Sequence, residues 1–207
     1  MMGKTHFAVG TATTLLLFHP QTVKSTLLCA GTAAICSCIC DVDVSSSGSH
    51  KGMTKFCIGF GLVALILGVL DWRCEIGLRN YLMNNSSILR MLLGIVLLMG
   101  ICLFGETQPH RTFLHSFFGI ACICGAIAIF LPQAVPYAAV AMLTHVALDL
   151  LNMRKVQLFY PFQFGKCSLR LCPADSFPDK VLFWVGSGVL LIELAGYLIF
   201  FGKALIS

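Results

Sequence analysis

The stretch HRTFLHS at His110–Ser116 decides how the rest of this chain is interpreted. It places two histidines and an arginine directly before a long apolar run. Three other polar groups interrupt apolar sequence in a similar way: His6, the DVD at Asp41–Asp43 and the HVALD at His145–Asp149. Ionisable side chains cost about 2.5 kcal/mol or more each at membrane depth, so by default they mark functional positions. We expect the four groups to meet on one side of a membrane and to hold metal.

The composition indicates that lipid covers much of the protein. Of the 207 residues, 57% are hydrophobic and 11% are charged, with a mean hydropathy of +0.88. A soluble domain usually carries about 25% charged residues, so too few charges are present to cover a globular surface. Because a spanning helix needs roughly 20 apolar residues, we predict a polytopic all-α membrane bundle with about seven transmembrane or membrane-embedded helices. Residues 1–207 are expected to form a single domain.

The predicted spans follow the apolar runs. They cover residues 5–18, 22–40, 56–70, 88–104, 112–131, 135–151 and 181–201. The first is short and rich in Thr and Gly, so it either packs closely against its neighbours or lies partly in the interface. Segments rich in Ser, Gly or Pro are predicted to be irregular, and these are residues 41–52 and 152–179.

Alternate crossing of the membrane by these spans brings all four polar groups to the side on which the N-terminus lies. Nine of the 14 Lys and Arg residues fall on that side as well. Positively charged residues are enriched in cytoplasmic loops, so we predict that the site lies on the cytoplasmic face.

The spacing within HVALD and DVD suits metal binding. His145 and Asp149 are four residues apart and share one helix face. They can both bind a metal, or Asp149 can orient a metal-bound imidazole. A His–Asp hydrogen bond that only packs helices is an equally good interpretation. Asp41 and Asp43 lie at a helix end, where two close carboxylates repel each other unless a cation lies between them. A solvated helix cap is the alternative there.

The three polar residues of HRTFLHS are expected to divide the chemistry among them. We place His115 in the first turn of the span 112–131 and His110 in the loop before it. His115 is then the expected metal ligand, and His110 is either a ligand or an acid. Arg111 offers a planar fork for a phosphate or carboxylate. With Asp43, the residues His110 and Arg111 form the predicted catalytic group.

The candidate ligands together predict a metal centre, formed by His6, Asp41, Asp43, His115, His145 and Asp149. Mixed imidazole and carboxylate ligands suit zinc, with manganese or iron as alternatives, better than calcium. The set is larger than one four-coordinate zinc requires, and it has room for two ions roughly 3.5–4 Å apart. Such a centre activates water and clamps an oxyanion, which is hydrolase chemistry. His50 is interpreted as an exposed loop residue.

The order of these motifs resembles that of the YdjM-like bacterial inner-membrane proteins. Residues 5–162 contain an N-terminal His, then DxD, HRxxxHS, HxxxD and an aromatic YPF. That family is described as LexA-regulated, membrane-bound, metal-dependent hydrolases. The resemblance implies a bacterial inner-membrane location, and a metal site at His6, Asp41, Asp43, His110, His115, His145 and Asp149.

We therefore expect a membrane-bound hydrolase that cleaves a lipid or lipid-linked ester or phosphoester with a metal-activated water. Cations on the predicted cytoplasmic side would hold an anionic head group, although ordinary attraction to anionic lipid explains them equally well. No nucleic acid partner is expected. Two alternatives remain: a non-catalytic scaffold, and a metal-ion transporter whose path is lined by His and Asp. Transporter sites tend to lie near the midplane, whereas these residues lie at one end of the helices.

Overall fold

A computed structural model describes residues 1–74 and 76–206 of the chain. Helices account for nearly all of the regular structure in this part: α1 (Gly3–Phe18), α2 (Val23–Ile39), α3 (Gly48–Cys74), α4 (Leu78–Asn84), α5 (Ser86–Glu106), α6 (Phe117–Phe130), α7 (Val135–Leu150) and α8 (Phe177–Ile206). Short 3-10 turns cover Cys40–Asp43 and Pro132–Ala134. Two short antiparallel strands, β1 (Val156–Gln157) and β2 (Lys166–Cys167), form the one sheet seen in these residues. The predicted all-α bundle is confirmed.

Each of the seven predicted spans corresponds to a helix, and α4 is an additional short helix in a predicted connector. Within the described part of the chain, four helical segments are long and apolar enough to cross a membrane: Val23–Asp43, Gly48–Cys74, Ser86–Glu106 and Phe177–Gly202. Helices α1 and α7 have 16 residues each. At about 1.5 Å per residue they are about 24 Å long, which is less than the hydrocarbon core of roughly 30 Å. Short helices of this kind suit the interior of the bundle, where neighbouring helices shield their ends.

Two local predictions were wrong. The first concerns the Ser/Gly segment, because α3 begins at Gly48 and leaves only a brief turn after Asp43. The second concerns His115, which lies in the turn before α6 and not in the first turn of a helix. Ser116 is the N-cap of α6, and its hydroxyl accepts a hydrogen bond from the backbone N–H of Gly119 at 3.0 Å. A serine in this position satisfies a free N–H of the first turn and so determines where the helix begins.

Helices α1, α2 and α7 approach one another closely at small residues. A Cβ atom added to Gly10 of α1 would collide with the side chain of Ser37 on α2, and it would lie 3.7 Å from the carbonyl oxygen of Ala141 on α7. Small residues at such crossings allow helix backbones to approach in a membrane. This close packing places the ends of the three helices side by side.

The outer helices carry the apolar surface. Helix α3 has no buried residue, and Leu62, Leu65 and Ile66 on it are each more than half exposed. Helices α5 and α8 likewise expose large apolar side chains. Lipid must cover these surfaces, because they are far larger than the apolar patches that soluble proteins expose.

Candidate metal centre

The structure brings all seven residues of the predicted metal site into one cluster at one end of the bundle. His6 comes from the first turns of α1, and two carboxylates come from the 3-10 turn after α2. Two histidines come from the loop before α6, and HVALD supplies the last turns of α7. Four of the seven residues are at most 1% exposed: His6, His115, His145 and Asp149.

Three imidazoles form the buried centre of this cluster. The Nε2 atoms of His115 and His145 lie 3.2 Å apart, and the ring of His6 stacks on that of His145 with 3.8 Å between centroids. The Nδ1 atom of His145 lies 2.7 Å from the carbonyl oxygen of Ser37, so this nitrogen carries the proton. Its Nε2 therefore presents a lone pair to the cluster. This is the arrangement in which a histidine binds metal through one nitrogen and donates from the other.

The carboxylates surround these nitrogens. One oxygen of Asp41, Oδ1, lies 3.7 Å from Nε2 of His145 and 3.9 Å from Nε2 of His115. Asp149 has Oδ1 at 3.4 Å from Nε2 of His6 and Oδ2 at 3.4 Å from Nε2 of His115. Asp43 behaves differently, because it contacts the Nδ1 atoms of two rings. Its Oδ1 lies 2.8 Å from Nδ1 of His110, and its Oδ2 lies 3.5 Å from Nδ1 of His115. Asp43 thus orients histidines, whereas Asp41 and Asp149 face the shared centre.

The donor set fits a divalent cation. Three groups each have their ligand atoms within 4.8 Å of one another: His6, Asp41 and His145; Asp41, His110 and His115; and His115, His145 and Asp149. The buried Oδ2 of Asp149 has no hydrogen-bond partner among the described residues. An unpartnered carboxylate oxygen in a buried site is costly, and a cation held between it and the imidazoles would remove that cost.

The electrostatic surroundings of His115 also suit a positive charge. Burial alone would lower the pKa of this imidazole, but the neighbouring carboxylates of Asp149 and Asp43 raise it from 6.5 to about 9. The site therefore stabilises a cationic group at this position. A metal ion would take the place of the proton, because a metal ligand must be the neutral imidazole.

Arg111 is part of the cluster and is tied to it from three sides. Its side chain is 5% exposed, and it donates to Oδ1 of Asp149 at 3.0 Å and to the carbonyl oxygen of Arg154 at 2.8 Å. A longer contact of 3.4 Å joins its Nε to Nε2 of His110. The φ angle of Arg111 is 68°, a left-handed conformation that residues other than glycine rarely adopt. The guanidinium group has five N–H donors, and those not used in these contacts can bind an anion. The role of Arg111 as an anion contact stays a prediction.

A cavity of about 540 Å³ opens onto the cluster. Its lining includes Asp41, His110, Arg111 and Asp149, with Lys4 at its edge. This volume lies within the range of small-molecule binding sites, about 300–1,000 Å³. The side chain of His110 is 29% exposed, which makes it the most accessible histidine of the cluster.

Sequence reasoning missed two groups that support the site. Asp179 is 1% exposed at the start of α8, and it accepts hydrogen bonds from Oγ1 of Thr5 at 2.8 Å and from the backbone N–H of Met2 at 3.2 Å. The sequence feature that could have indicated this role is an acidic residue in the first turn of a long apolar helix. His50 was predicted to be exposed in a loop. It is half-buried in α3, where Nδ1 donates to the carbonyl oxygen of Val42 at 2.9 Å and lies 3.3 Å from Oε1 of Glu106.

Comparison with known proteins agrees with the resemblance predicted from the motif order. The family model described as YdjM inner membrane protein matches residues 1–205. No curated protein and no solved structure gives a significant match. Together with the long apolar helices, the family match identifies an integral protein of the inner membrane. Because the match covers almost the whole chain, the protein belongs to the YdjM inner membrane protein family.

Proposed function

We propose that the protein is a metal-dependent hydrolase that cleaves a lipid or lipid-linked ester or phosphoester at the cytoplasmic face of the inner membrane. The observation that carries the proposal is the convergence of imidazole nitrogens and carboxylate oxygens around Oδ2 of Asp149, which is buried, lies 3.4 Å from Nε2 of His115 and accepts no hydrogen bond among the described residues. Buried polar groups are normally hydrogen-bonded, and a cation held between this oxygen and the imidazole nitrogens would satisfy it.

Five residues would hold the cation: His6, Asp41, His115, His145 and Asp149. Zinc suits this mixed nitrogen and oxygen set, and manganese and iron are the alternatives. Asp41, His115 and His145 each belong to two of the three ligand groups, which leaves room for a second ion. When bound, such an ion lowers the pKa of a water molecule toward about 7 and neutralises a developing oxyanion.

His110 is suited to proton transfer. Its Nδ1 lies 2.8 Å from Oδ1 of Asp43, so this nitrogen carries the proton. Nε2 keeps a lone pair whose contact is the long one of 3.4 Å from Nε of Arg111, and this contact must give way when Nε2 takes a proton. Asp43 stabilises the imidazolium that results, as the carboxylate does in other carboxylate–histidine pairs. His110 lines the cavity, where Nε2 takes a proton from water and later returns it to the leaving group.

Arg111 and Lys4 suit an anionic substrate. The guanidinium of Arg111 neutralises Asp149 and has further N–H donors at the cavity wall. The side chain of Lys4 is exposed beside the same cavity. A lipid phosphoester would meet positive charge here, next to a protein surface that is otherwise covered by lipid.

The direct test is elemental analysis of the purified protein together with hydrolysis of p-nitrophenyl esters and phosphoesters. We expect about one or two divalent ions per chain and a metal-dependent activity. His145→Ala should remove both while the protein still inserts into the membrane. His19→Ala is the matched control, because His19 is exposed and lies at the other end of α1.

The same samples separate the alternatives. A scaffold would contain no stoichiometric metal, and His145→Ala would lower only its stability. A transporter would bind metal without hydrolysis and would load metal into sealed proteoliposomes. Either result would overturn the proposed function.

A further inference from the structure

An apolar groove lies beside the polar cavity and continues from it. The groove has a volume of about 410 Å³. Its apolar lining comes from α2, α3, α5 and the turn after α2: Ile35, Ile39, Val42, Met53, Phe56 and Leu98. Cys38 and Ser49 line both the groove and the polar cavity, so the two spaces share a boundary.

The spacing of the lining residues shows how the groove runs. On α2 and the turn that follows, they are residues 35, 38, 39 and 42, and on α3 they are residues 49, 52, 53 and 56. Each set follows the i, i+3, i+4, i+7 pattern of a single helix face. Each face spans eight residues, and seven steps of about 1.5 Å give a channel about 10 Å long. The groove therefore starts at the candidate metal centre and follows the helices into the apolar part of the bundle.

The groove is open to the bilayer along its side. Ile35 is 67% exposed and Phe56 is 52% exposed, and they stand at the same end of the two facing sets. No residue of α3 is buried, and Met53 is only partly buried against the core, so protein side chains fill the space between α2 and α3 incompletely. A hydrocarbon chain can therefore enter from the membrane without passing through water.

We propose that this groove holds one acyl chain of an anionic glycerolipid whose phosphate head group lies in the polar cavity. The inference rests on the proposed function and narrows its substrate class to membrane glycerolipids with an acidic head group. Two observations select this occupant. The groove is continuous with the cavity, and the cavity end carries Arg111 and Lys4, which complement a phosphate. A neutral lipid would fill the groove equally well but would offer no anion to the remaining N–H donors of Arg111 or to the ammonium group of Lys4, which lies 5.0 Å from the centre of the Phe183 ring.

Gly52 offers a way to close the groove without disturbing the helix. A Cβ added to Gly52 has no atom within 4 Å, and Gly52 lines the groove. Gly52→Phe should therefore be accommodated, and its ring should occupy the space of the acyl chain. Gly59→Phe is the matched control, since Gly59 lies on the same helix, is equally unobstructed and does not line the groove. Met53→Trp is a second blocking variant if Gly52→Phe inserts poorly.

The test uses the full chain in phosphatidylcholine vesicles that contain phosphatidic acid with a diazirine in its acyl chain. After irradiation, cross-linked peptides are mapped by mass spectrometry, and bound metal is measured in the same samples. We expect cross-links to concentrate at Met53 and Phe56 rather than at Leu62 and Leu65 on the same helix. Gly52→Phe should remove this enrichment, and Gly59→Phe should retain it. Excess unlabelled phosphatidic acid should compete, and excess phosphatidylcholine should not.

Several outcomes would overturn the inference. Even labelling around α3 would show only annular lipid, and loss of enrichment in both glycine variants would show a general effect of bulk. Equal competition by phosphatidylcholine would remove the head-group claim, and competition by a polyprenyl phosphate alone would assign the groove to another lipid. The metal measurement keeps the two proposals apart. Full metal content with no enrichment contradicts only the groove, whereas enrichment without metal contradicts only the hydrolase.

Discussion

The Nε2 atoms of His115 and His145 lie 3.2 Å apart, and both side chains are completely buried. Because Nδ1 of His145 donates to the Ser37 carbonyl, its Nε2 can only accept. In the metal-free protein the proton between the two rings must therefore sit on His115. The space between the two Nε2 atoms can hold either a proton or a metal ion. Loss of this proton should therefore affect the stability of the metal-free protein.

The metal-free protein should lose stability as the solution becomes alkaline. The pKa of His115 is raised from 6.5 to about 9 by its contacts with Asp149 and Asp43, against the effect of burial. A group with a raised pKa in the folded state contributes its full stability below pH 6.5 and loses it as the pH rises through about 9. Thermal unfolding of chelator-treated protein across this range should show the loss. His115→Gln should flatten the profile, and an unchanged slope in that variant would contradict the assignment.

Asp43→Asn should separate proton transfer from metal binding. Asp43 contacts the Nδ1 atoms of His110 and His115, so it orients both rings without facing the shared centre. We expect hydrolysis to fall by about 10²–10⁴-fold, the usual contribution of a positioned general base, while the metal content stays near that of the wild type. Asp175→Asn is the control, because its side chain is 69% exposed and lies outside the cluster. Loss of metal in Asp43→Asn would instead make Asp43 a ligand.

Arg111→Gln should destabilise the protein. Removing this side chain leaves the buried carboxylate of Asp149 without its arginine, and breaking a buried ion pair costs about 3–5 kcal/mol. The melting temperature in detergent should fall accordingly. Arg154→Gln is the matched control, since only the backbone carbonyl of Arg154 takes part in the contact. Equal melting temperatures for the two variants would show that Arg111 is not an essential partner of Asp149.

Asp179→Ala should loosen the start of α1. The carboxylate accepts from Thr5 and from the backbone of Met2, and losing such buried bonds costs about 1–3 kcal/mol. Hydrogen exchange in residues 2–8 should become faster, and metal should bind more weakly because His6 lies in this segment. Lys180→Ala should change neither property, since the Lys180–Asp175 pair is exposed and such pairs contribute little. Unchanged exchange in Asp179→Ala would show that α1 is held by other contacts.

The architecture was predictable because apolar runs and alternating crossings leave few choices. Once the spans are placed, alternation alone brings His6, Asp41, His110 and His145 to the same end of the bundle. The details that were missed depend on short-range geometry. Ser116 caps α6 and so keeps His115 out of the helix, and a single serine before an apolar run is a weak signal.

Other features depend on contacts that no local pattern encodes. Asp179 meets Thr5 across almost the whole length of the chain, since the two residues are 174 positions apart in sequence. The apolar groove exists because α3 stays apart from α2, and hydropathy is the same whether a helix faces protein or lipid. The different roles of Asp41 and Asp43 also required the structure, because the sequence presents them as equivalent carboxylates.

The crossing of α1, α2 and α7 has a geometric consequence for the candidate metal centre. Gly10, Ser37 and Ala141 meet at this crossing, and each lies four residues from a proposed ligand: His6, Asp41 and His145 respectively. Four residues correspond to a rise of about 6 Å, little more than one helical turn. Three segments of four residues each therefore connect the crossing to the proposed ligands. A bulkier residue at the crossing would move the three helix ends apart. The spacing of the proposed ligands therefore depends on side-chain packing one turn below them, at atoms that would not contact a metal ion.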